Sequence, residues 1–255
     1  MNLKLVRTRL TVVFLVCFAA ATTAQDLHFG FQLSPSFTWL STNNTYINGT
    51  GSALGLKLGL VVENRFSEAY SITSGLGFHF NAGGSVRTTT FDGKLWQNSW
   101  EGFENPPKAN EVFTKETKLR YSISYFEIPI GLKMRTAETG SHIRWFAEPQ
   151  LIFNFRTNAQ GAVSNAGTIP DQEKIPIKKE VNGAMASWGI GAGGEYIIAN
   201  NTAVVVGLYY QNGFTDVTTD KSSQLIDPRV PPTRILIDNS KGIIKGLTLR
   251  LGVMF

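Results

Sequence analysis

The sequence of 255 residues is poor in cysteine and histidine and has no apolar run long enough for a membrane-spanning helix. Its apolar stretch near the amino terminus, Leu10–Ala21, falls well short of the roughly 20 residues that a spanning helix needs. No later segment comes close to that length. If this chain crosses a membrane, we therefore expect it to do so with β-strands.

Three cations, Lys4, Arg7 and Arg9, precede the apolar stretch, and small residues follow it at positions 22–24. This order of charge, apolar core and small residues is typical of a secretory signal peptide. We predict that the signal is cleaved after Ala24 and that the mature protein is exported from the cytoplasm.

Cleavage would divide the chain into a signal peptide, residues 1–24, and one mature domain, residues 25–255. The only cysteine, Cys17, leaves with the signal, which excludes disulfides, thiol nucleophiles and cysteine metal sites from the mature domain. The formal charge falls from +5 to +2, because the signal holds three cations and no acid. Such a small excess predicts no nucleic-acid partner, and we expect no cofactor.

Two-residue periodicity is abundant, and it is clearest in the last segment, Ile243–Phe255. There apolar side chains alternate with polar residues and glycines, as in a strand with one apolar and one polar face. The apolar set is Leu247, Leu249, Leu251, Val253 and Phe255. Similar alternation occupies residues 27–39, 54–65, 70–80, 121–135, 143–156, 188–198 and 203–211.

Eight segments of about 9 to 13 residues match tilted strands that cross a bilayer. The pattern predicts an all-β fold, an eight-stranded antiparallel up-and-down transmembrane β-barrel. We expect a bulge near Tyr125, where the apolar phase changes, and a bulge or bend at Pro35. The segment 203–211 is the least regular, because both of its faces are apolar, and there we predict that Val204, Val206, Leu208 and Tyr210 face outward.

The connections between these segments alternate strictly between short and long. The short ones lie at 64–69, 136–142 and 199–202, and the long ones at 41–53, 81–120, 157–183 and 212–242. Outer-membrane barrels have short periplasmic turns and long extracellular loops. We therefore predict that the long connections are extracellular and that both termini are periplasmic.

Charged residues recur on the polar face of the predicted strands. They are Lys57, Glu63, Arg65, Glu127, Lys133, Arg144, Glu148, Arg156, Glu195 and Arg250. The interior of an eight-stranded barrel is just wide enough for side chains to fill it, and buried charges must pair. These residues therefore predict a polar network that plugs the lumen. The alternative is a narrow ion path or a proton-linked site.

The second long connection carries four aromatic residues among polar neighbours: Phe91, Trp96, Trp100 and Phe103. Tryptophan in an extracellular loop indicates either a packed cap over the barrel or a partner-binding surface. The sequence alone leaves both readings open.

Catalytic constellations are scarce, because the chain has only three histidines, His28, His79 and His142. A lipid hydrolase needs a histidine beside a nucleophilic hydroxyl. His79 with Ser85 or Thr88 is the best candidate pair, and no sequence spacing supports it. We predict that the protein is not an enzyme.

The segment Tyr125–Lys133, with its order aromatic-Glu-Ile-Pro-aliphatic, resembles the PorT-type outer-membrane β-barrel family of Bacteroidetes. The glycine-rich segment Trp188–Tyr196 is also similar to that family. The resemblance implies an eight-stranded outer-membrane barrel. The namesake of the family belongs to the type IX secretion and gliding apparatus, and most members have no assigned role.

We expect a protein of the bacterial outer membrane with a structural or interaction role. Its expected partners are outer-membrane lipid, the barrel-assembly machinery during biogenesis, and other envelope proteins through the long loops. The terminal aromatic residue, Phe255, resembles the signal that this machinery recognises. Three alternatives are a small channel, a subunit of a secretion apparatus, and a lipocalin-like carrier with the same alternation turned inside out.

Overall fold

The computed structural model describes residues 27–43, 45–140, 142–199, 202–219, 223–227, 234–237 and 240–255. The predicted signal peptide and its cleavage site lie outside these residues. Within the described part of the chain, no helix is both long enough and apolar enough to cross a membrane.

Eight long strands form a closed antiparallel barrel, which confirms the predicted fold. They are β1 (Leu27–Thr42), β2 (Ile47–Arg65), β3 (Tyr70–Thr88), β5 (Lys118–Arg135), β6 (Ile143–Ser164), β8 (Ala184–Ala199), β9 (Thr202–Gly213) and β12 (Gly242–Met254). Each pairs with its neighbours in sequence, and β12 returns to pair with β1. Closure leaves no unpaired barrel edge, so every backbone group of these strands can be satisfied within lipid.

The apolar face of the barrel strands points outward, as the alternation predicts. On β12, Leu249 is 42% exposed whereas its neighbour Thr248 is 8% exposed. On β9, Val206 and Leu208 are exposed while Val205 and Tyr209 are buried. A belt of exposed leucine, isoleucine, valine and phenylalanine therefore surrounds the barrel, as a lipid-facing surface requires.

The strands extend further than the alternation predicts, and chiefly at the end with the long connections. The first connection, predicted as a loop at 41–53, is shorter than that, because β1 runs to Thr42 and residues 47–53 belong to β2. Likewise β3 continues to Thr88 and β6 to Ser164. The alternation stops earlier because residues above the bilayer contact water and other protein, so their outward positions need not be apolar.

The register shift predicted near Tyr125 is present between Ser124 and Tyr125 in the β5–β6 pairing. The extra residue lies on β6, between Arg156 and Asn158. By contrast, the register of β1 with both neighbours is the same on either side of Pro35, so of the bulge or bend predicted there the bulge is absent. Proline is tolerated at this position without an insertion.

The apolar phase changes on β5 because the environment inside the barrel changes. Tyr121, Ile123 and Tyr125 point inward and are buried, like Glu127 below them. They belong to an apolar core that fills the extracellular end of the barrel, which we call the cap. The cap also contains β4 (Asp92–Lys94), β7 (Gln172–Pro176), β10 (Gln224–Asp227), β11 (Arg234–Ile237) and two 3-10 helices, Gln97–Gly102 and Lys178–Glu180.

Candidate functional site

The barrel lumen below the cap is filled by charged side chains in three groups. The group nearest the short turns, which we assign to the periplasmic side, is centred on Glu63, whose side chain is fully buried. Glu63 accepts hydrogen bonds from Arg135, from Arg65 at 2.9 Å and from Lys133 at 3.2 Å. Lys133 and Arg135 also pair with Glu195 on β8, so this group joins three strands across the barrel.

The middle group is centred on Glu148 of β6. Its carboxylate accepts hydrogen bonds from the Tyr209 hydroxyl, from Thr73 Oγ1 at 2.6 Å and from Arg250 at 2.8 Å. The guanidinium carbon of Arg250 lies 3.7 Å from the centroid of the Tyr209 ring, a cation–π arrangement. Four strands therefore meet at this carboxylate.

The third group lies just below the cap and joins β1, β2, β3, β5 and β9. Lys57 Nζ lies 3.1 Å from the Glu127 carboxylate and donates to Gln211 Oε1 at 2.8 Å. His79 Nδ1 lies 3.2 Å from Glu127 Oε1, and its Nε2 lies 2.9 Å from Ser36 Oγ. Together the three groups contain five cations and four carboxylates, so the charge of the lumen is nearly balanced.

The space left between the middle and upper groups is a cavity of about 30 Å³. Lys57, Glu127, Gln150, Tyr209 and Arg250 line it with six further residues. A cavity needs roughly 10–15 Å³ to hold one water, so this one accommodates one or two waters and no continuous water column. The lumen is closed by its own side chains.

Two of the ten charged residues predicted for the lumen lie outside this network. Arg144 lies half-buried at the periplasmic mouth, 3.6 Å from Glu138. Arg156 donates to the backbone carbonyls of Lys178 and Val181 in the cap. Both residues were predicted to face the lumen only because they lie on the polar face of their strand. Because β6 runs beyond the polar lumen at either end, its inward face also contacts the mouth and the cap.

The network also contains His79, Arg135, Tyr209 and Gln211, which were not predicted from sequence to lie in it. Arg135 shares its strand face with Lys133, so strand phase could have included it. From sequence, His79 was considered only as the histidine of a hydrolase pair, and Gln211 only as the last residue of a predicted strand. Only the register, which brings four strands to one level, shows that they are partners of Lys57 and Glu127.

The contacts Ser36–His79–Glu127 have the order of a hydrolytic triad. Ser36 is fully buried, and neither Ser36 nor His79 lines the lumen cavity. A substrate therefore has no route to the hydroxyl. The pairing of His79 with Ser85 or Thr88, considered from sequence, does not occur among the described hydrogen bonds.

The four loop aromatics are part of the cap core, so of the two readings left open their burial agrees with the packed cap and contradicts a partner-binding surface made of these rings. Phe91, Trp96 and Phe103 are at most 5% exposed, and Trp100 packs against the same core. Trp96 Nε1 donates to the Tyr121 hydroxyl at 2.9 Å. The rings are buried because the extended strands carry an apolar inner wall for them to cover.

The terminal residue, Phe255, closes the periplasmic end of the β1–β12 seam. Its N–H donates to the Phe29 carbonyl at 2.7 Å, and its own carbonyl accepts from the Phe29 N–H at 3.2 Å. Its ring lies edge-on to Phe31, with centroids 6.5 Å apart. The residue is thus paired with the first described strand.

A closed barrel with an apolar outer belt and a plugged polar lumen defines an integral protein of the bacterial outer membrane. The family comparison agrees: residues 23–219 match the model of the outer membrane protein beta-barrel domain, and the chain belongs to that family. A comparison with curated protein sequences finds no match.

Three solved outer-membrane proteins with a similar fold have low sequence identity to this chain. Neisserial surface protein A has a TM-score of 0.43 and 12% identity, over 89% of this chain and 95% of that one. OprG from Pseudomonas aeruginosa has a TM-score of 0.42 and 10% identity, over 89% and 95%. The protease OmpT from Escherichia coli has a TM-score of 0.36 and 9% identity, over 91% and 97%. At these values the resemblances indicate no role for this chain.

Proposed function

We propose that this protein is a non-conducting outer-membrane barrel that holds a folded cap at the cell surface as a platform for interactions with other envelope components. The observation that carries the proposal is the division of the barrel interior. Ion pairs such as Lys57–Glu127 close the membrane-level lumen, whereas an apolar core fills the extracellular end. A channel would need the opposite, a continuous polar passage through both levels.

The proposal includes the absence of an enzymatic role. Within the part of the chain that the structure describes, the arrangement that resembles a catalytic triad is centred on the Ser36 hydroxyl, which is fully buried. Among the described residues, no cluster of three or more histidine, cysteine or acidic side chains is placed to hold a metal ion. We propose that the protein acts by binding.

Conductance and partner capture test the two halves of this proposal. The purified barrel should show no steady conductance in a planar bilayer. In parallel, partners captured from outer membranes by the unmodified protein should be lost with Trp96→Ala, which removes the central ring of the cap. Resolved ion-selective conductance steps would contradict a closed lumen. An unchanged set of captured partners would contradict the cap as the interaction surface.

A second candidate role, a subunit of a protein-secretion apparatus of the type IX kind, rests on the PorT-type resemblance of Tyr125–Lys133. In the structure the two charged residues of this segment, Glu127 and Lys133, lie in the lumen network. The motif therefore describes the interior of a barrel more than a partner surface. Stable co-purification with secretion components would favour this role over the first.

A further inference from the structure

An open cavity of about 140 Å³ lies on the outer wall of the barrel, between strands β3, β5, β6 and β7. It is lined by Asn81, Arg120, Ser122, Gln160, Gly161, Ala162, Glu173 and Lys174. None of these residues belongs to the lumen network or to the apolar belt. We propose that this cavity binds the phosphate group of a lipid in the outer leaflet.

The height of the cavity matches the headgroup layer. Asn81 directly follows Phe80, an exposed residue at the top of the apolar belt on β3. Gln160 lies five residues above Phe155, the last exposed phenylalanine on β6. Strands rise about 3.3 Å per residue and tilt by about 40°, so five residues gain about 13 Å of height. The cavity thus begins at the edge of the hydrocarbon and spans the polar region above it.

The two cations that line the cavity, Arg120 and Lys174, lie on either side of a small residue, Ala162. Arg120 on β5 pairs with Ala162 on β6, and Lys174 lies on β7, the next strand beyond. Strands two apart in a sheet are separated by about 10 Å, a span that two long basic side chains can bridge to one anion. The methyl group of Ala162 leaves the floor between them open.

Both cations are available for a ligand. Arg120 and Lys174 are exposed, and within the described part of the chain neither side chain has a hydrogen bond or an ion pair. Glu173 also lines the cavity and pairs with neither of them, which leaves a net positive charge. By contrast, Arg87 on the neighbouring strand already pairs with Glu116 at 3.0 Å.

Phosphate is the anion that this donor set fits best. A guanidinium can donate two parallel hydrogen bonds to phosphate oxygens, and an ammonium contributes a compact charge. Ser122, Gln160 and Asn81 add neutral polar groups at the rim, although the Asn81 amide already donates to the Leu54 carbonyl at 2.6 Å. Because the site opens toward the headgroup layer, a membrane lipid is the nearest source of phosphate.

The test uses the full barrel folded in a non-ionic detergent and three probes. These are a diphosphorylated outer-leaflet glycolipid, the same lipid after dephosphorylation, and inorganic phosphate. Basic residues near an anionic surface contribute about 1 kcal/mol each, so we expect Arg120→Ala/Lys174→Ala to weaken binding of the phosphorylated lipid about 30-fold. Ala162→Leu, which fills the floor without changing charge, should also weaken it.

Matched controls distinguish binding at the cavity from non-specific attraction of the anionic lipid to exposed cations. Lys108 and Lys241 are exposed cations outside the cavity, and Lys108→Ala/Lys241→Ala should leave binding within about twofold of the unmodified protein. Equal binding of the two lipids, or equal losses in both double variants, would overturn the proposal. Displacement of the lipid by equimolar inorganic phosphate would identify free phosphate as the ligand and overturn the lipid source. The conductance assay is independent of this test: we expect the unmodified barrel to show no conductance whether or not it binds the lipid.

Discussion

Lys57 on β2 and Glu127 on β5 meet across the lumen with a nitrogen–oxygen distance of 3.1 Å, although the intervening strand β3 separates their backbones. Each side chain is about 9% exposed, so the pair lies almost entirely out of contact with water. A buried pair of this kind blocks the lumen, because it joins two strands that share no backbone hydrogen bonds. Its removal therefore tests the plug directly.

Glu127→Ala should lower the free energy of unfolding by about 3–5 kcal/mol, because Lys57 would stay buried without its counter-charge. Unfolding in detergent, followed by heat-modifiable gel mobility, measures the change. The double variant Lys57→Met/Glu127→Ala should regain part of the loss, since it leaves no unpaired charge. As a control, Glu138→Ala in an exposed turn should cost at most about 1 kcal/mol. A double variant that loses the sum of both single losses would show that the pair is not coupled.

Trp96→Ala should open the cap while the barrel stays folded. The ring is 1% exposed, contacts Tyr121 edge-on with centroids 5.1 Å apart, and lies over Gly161, where an added side-chain carbon would approach its ring to 2.6 Å. Loss of a buried tryptophan costs about 3–5 kcal/mol. We expect the loss to fall on the cap, because the backbone pairing of the eight barrel strands does not depend on this ring.

Limited proteolysis of folded protein measures this effect. We expect new cleavage between β3 and β5 in Trp96→Ala and unchanged heat-modifiable mobility of the barrel. Trp188→Ala is a suitable control, because Trp188 is exposed on the outer wall of β8 and has no place in the cap core. Simultaneous loss of barrel and cap in Trp96→Ala would show that the two fold as one unit.

The alternation could predict the barrel but not the partners inside it. Each strand was recognisable because lipid requires every second residue to be apolar, as in Leu247–Phe255. Outside the lipid that requirement ends, so residues 47–53 of β2 and the extension of β6 to Ser164 were taken for loops. The contacts of Lys57 with Glu127 and Gln211 depend on how far neighbouring strands are staggered, which no single strand encodes.

Leu249→Arg should destabilise the folded barrel by roughly 2–4 kcal/mol, the penalty for a cation on the lipid face near the bilayer midplane. Leu27→Arg, at the periplasmic rim of β1, should cost at most about 1 kcal/mol, because its charge can reach the headgroups. Equilibrium unfolding in lipid bilayers compares the two. An equal cost at both positions would contradict the assigned depth of Leu249. Thr248→Arg should also be costly. Thr248 lines the lumen cavity of about 30 Å³ together with Lys57 and Arg250, so a third cation there would lack both space and a counter-charge.

Single cysteines at Asn98 and Thr139 test the orientation of the barrel. Both residues are exposed, so their reactivity in whole cells depends only on the side of the membrane. An impermeant thiol reagent should label Asn98→Cys and leave Thr139→Cys unlabelled until the outer membrane is opened. Equal labelling in intact cells would contradict the orientation. The sequence also places Pro231 on the extracellular side, but that residue lies outside the described ones.

Deletion of Phe255 should impair assembly in cells more than the stability of the folded barrel. The deletion removes two backbone hydrogen bonds to Phe29, the contact of His28 Nδ1 with the Phe255 oxygen at 3.2 Å and one ring contact with Phe31. Each hydrogen bond contributes only about 0.5–1.5 kcal/mol, and the β1–β12 pairing from Gly30 to Thr42 remains. The folded fraction of purified protein, by heat-modifiable mobility, should therefore change little.

Outer-membrane abundance in cells should fall sharply with the same deletion, because we propose that the assembly machinery recognises the terminal aromatic residue. Phe66→Ala provides the matched control: Phe66 is 61% exposed in a periplasmic turn and, like Phe255, presents its ring at that end of the barrel. Its abundance should stay near that of the unmodified protein. If the Phe255 deletion instead lowers the purified folded fraction as much as the cellular abundance, then the residue acts through the β1–β12 seam, and the assembly role is wrong.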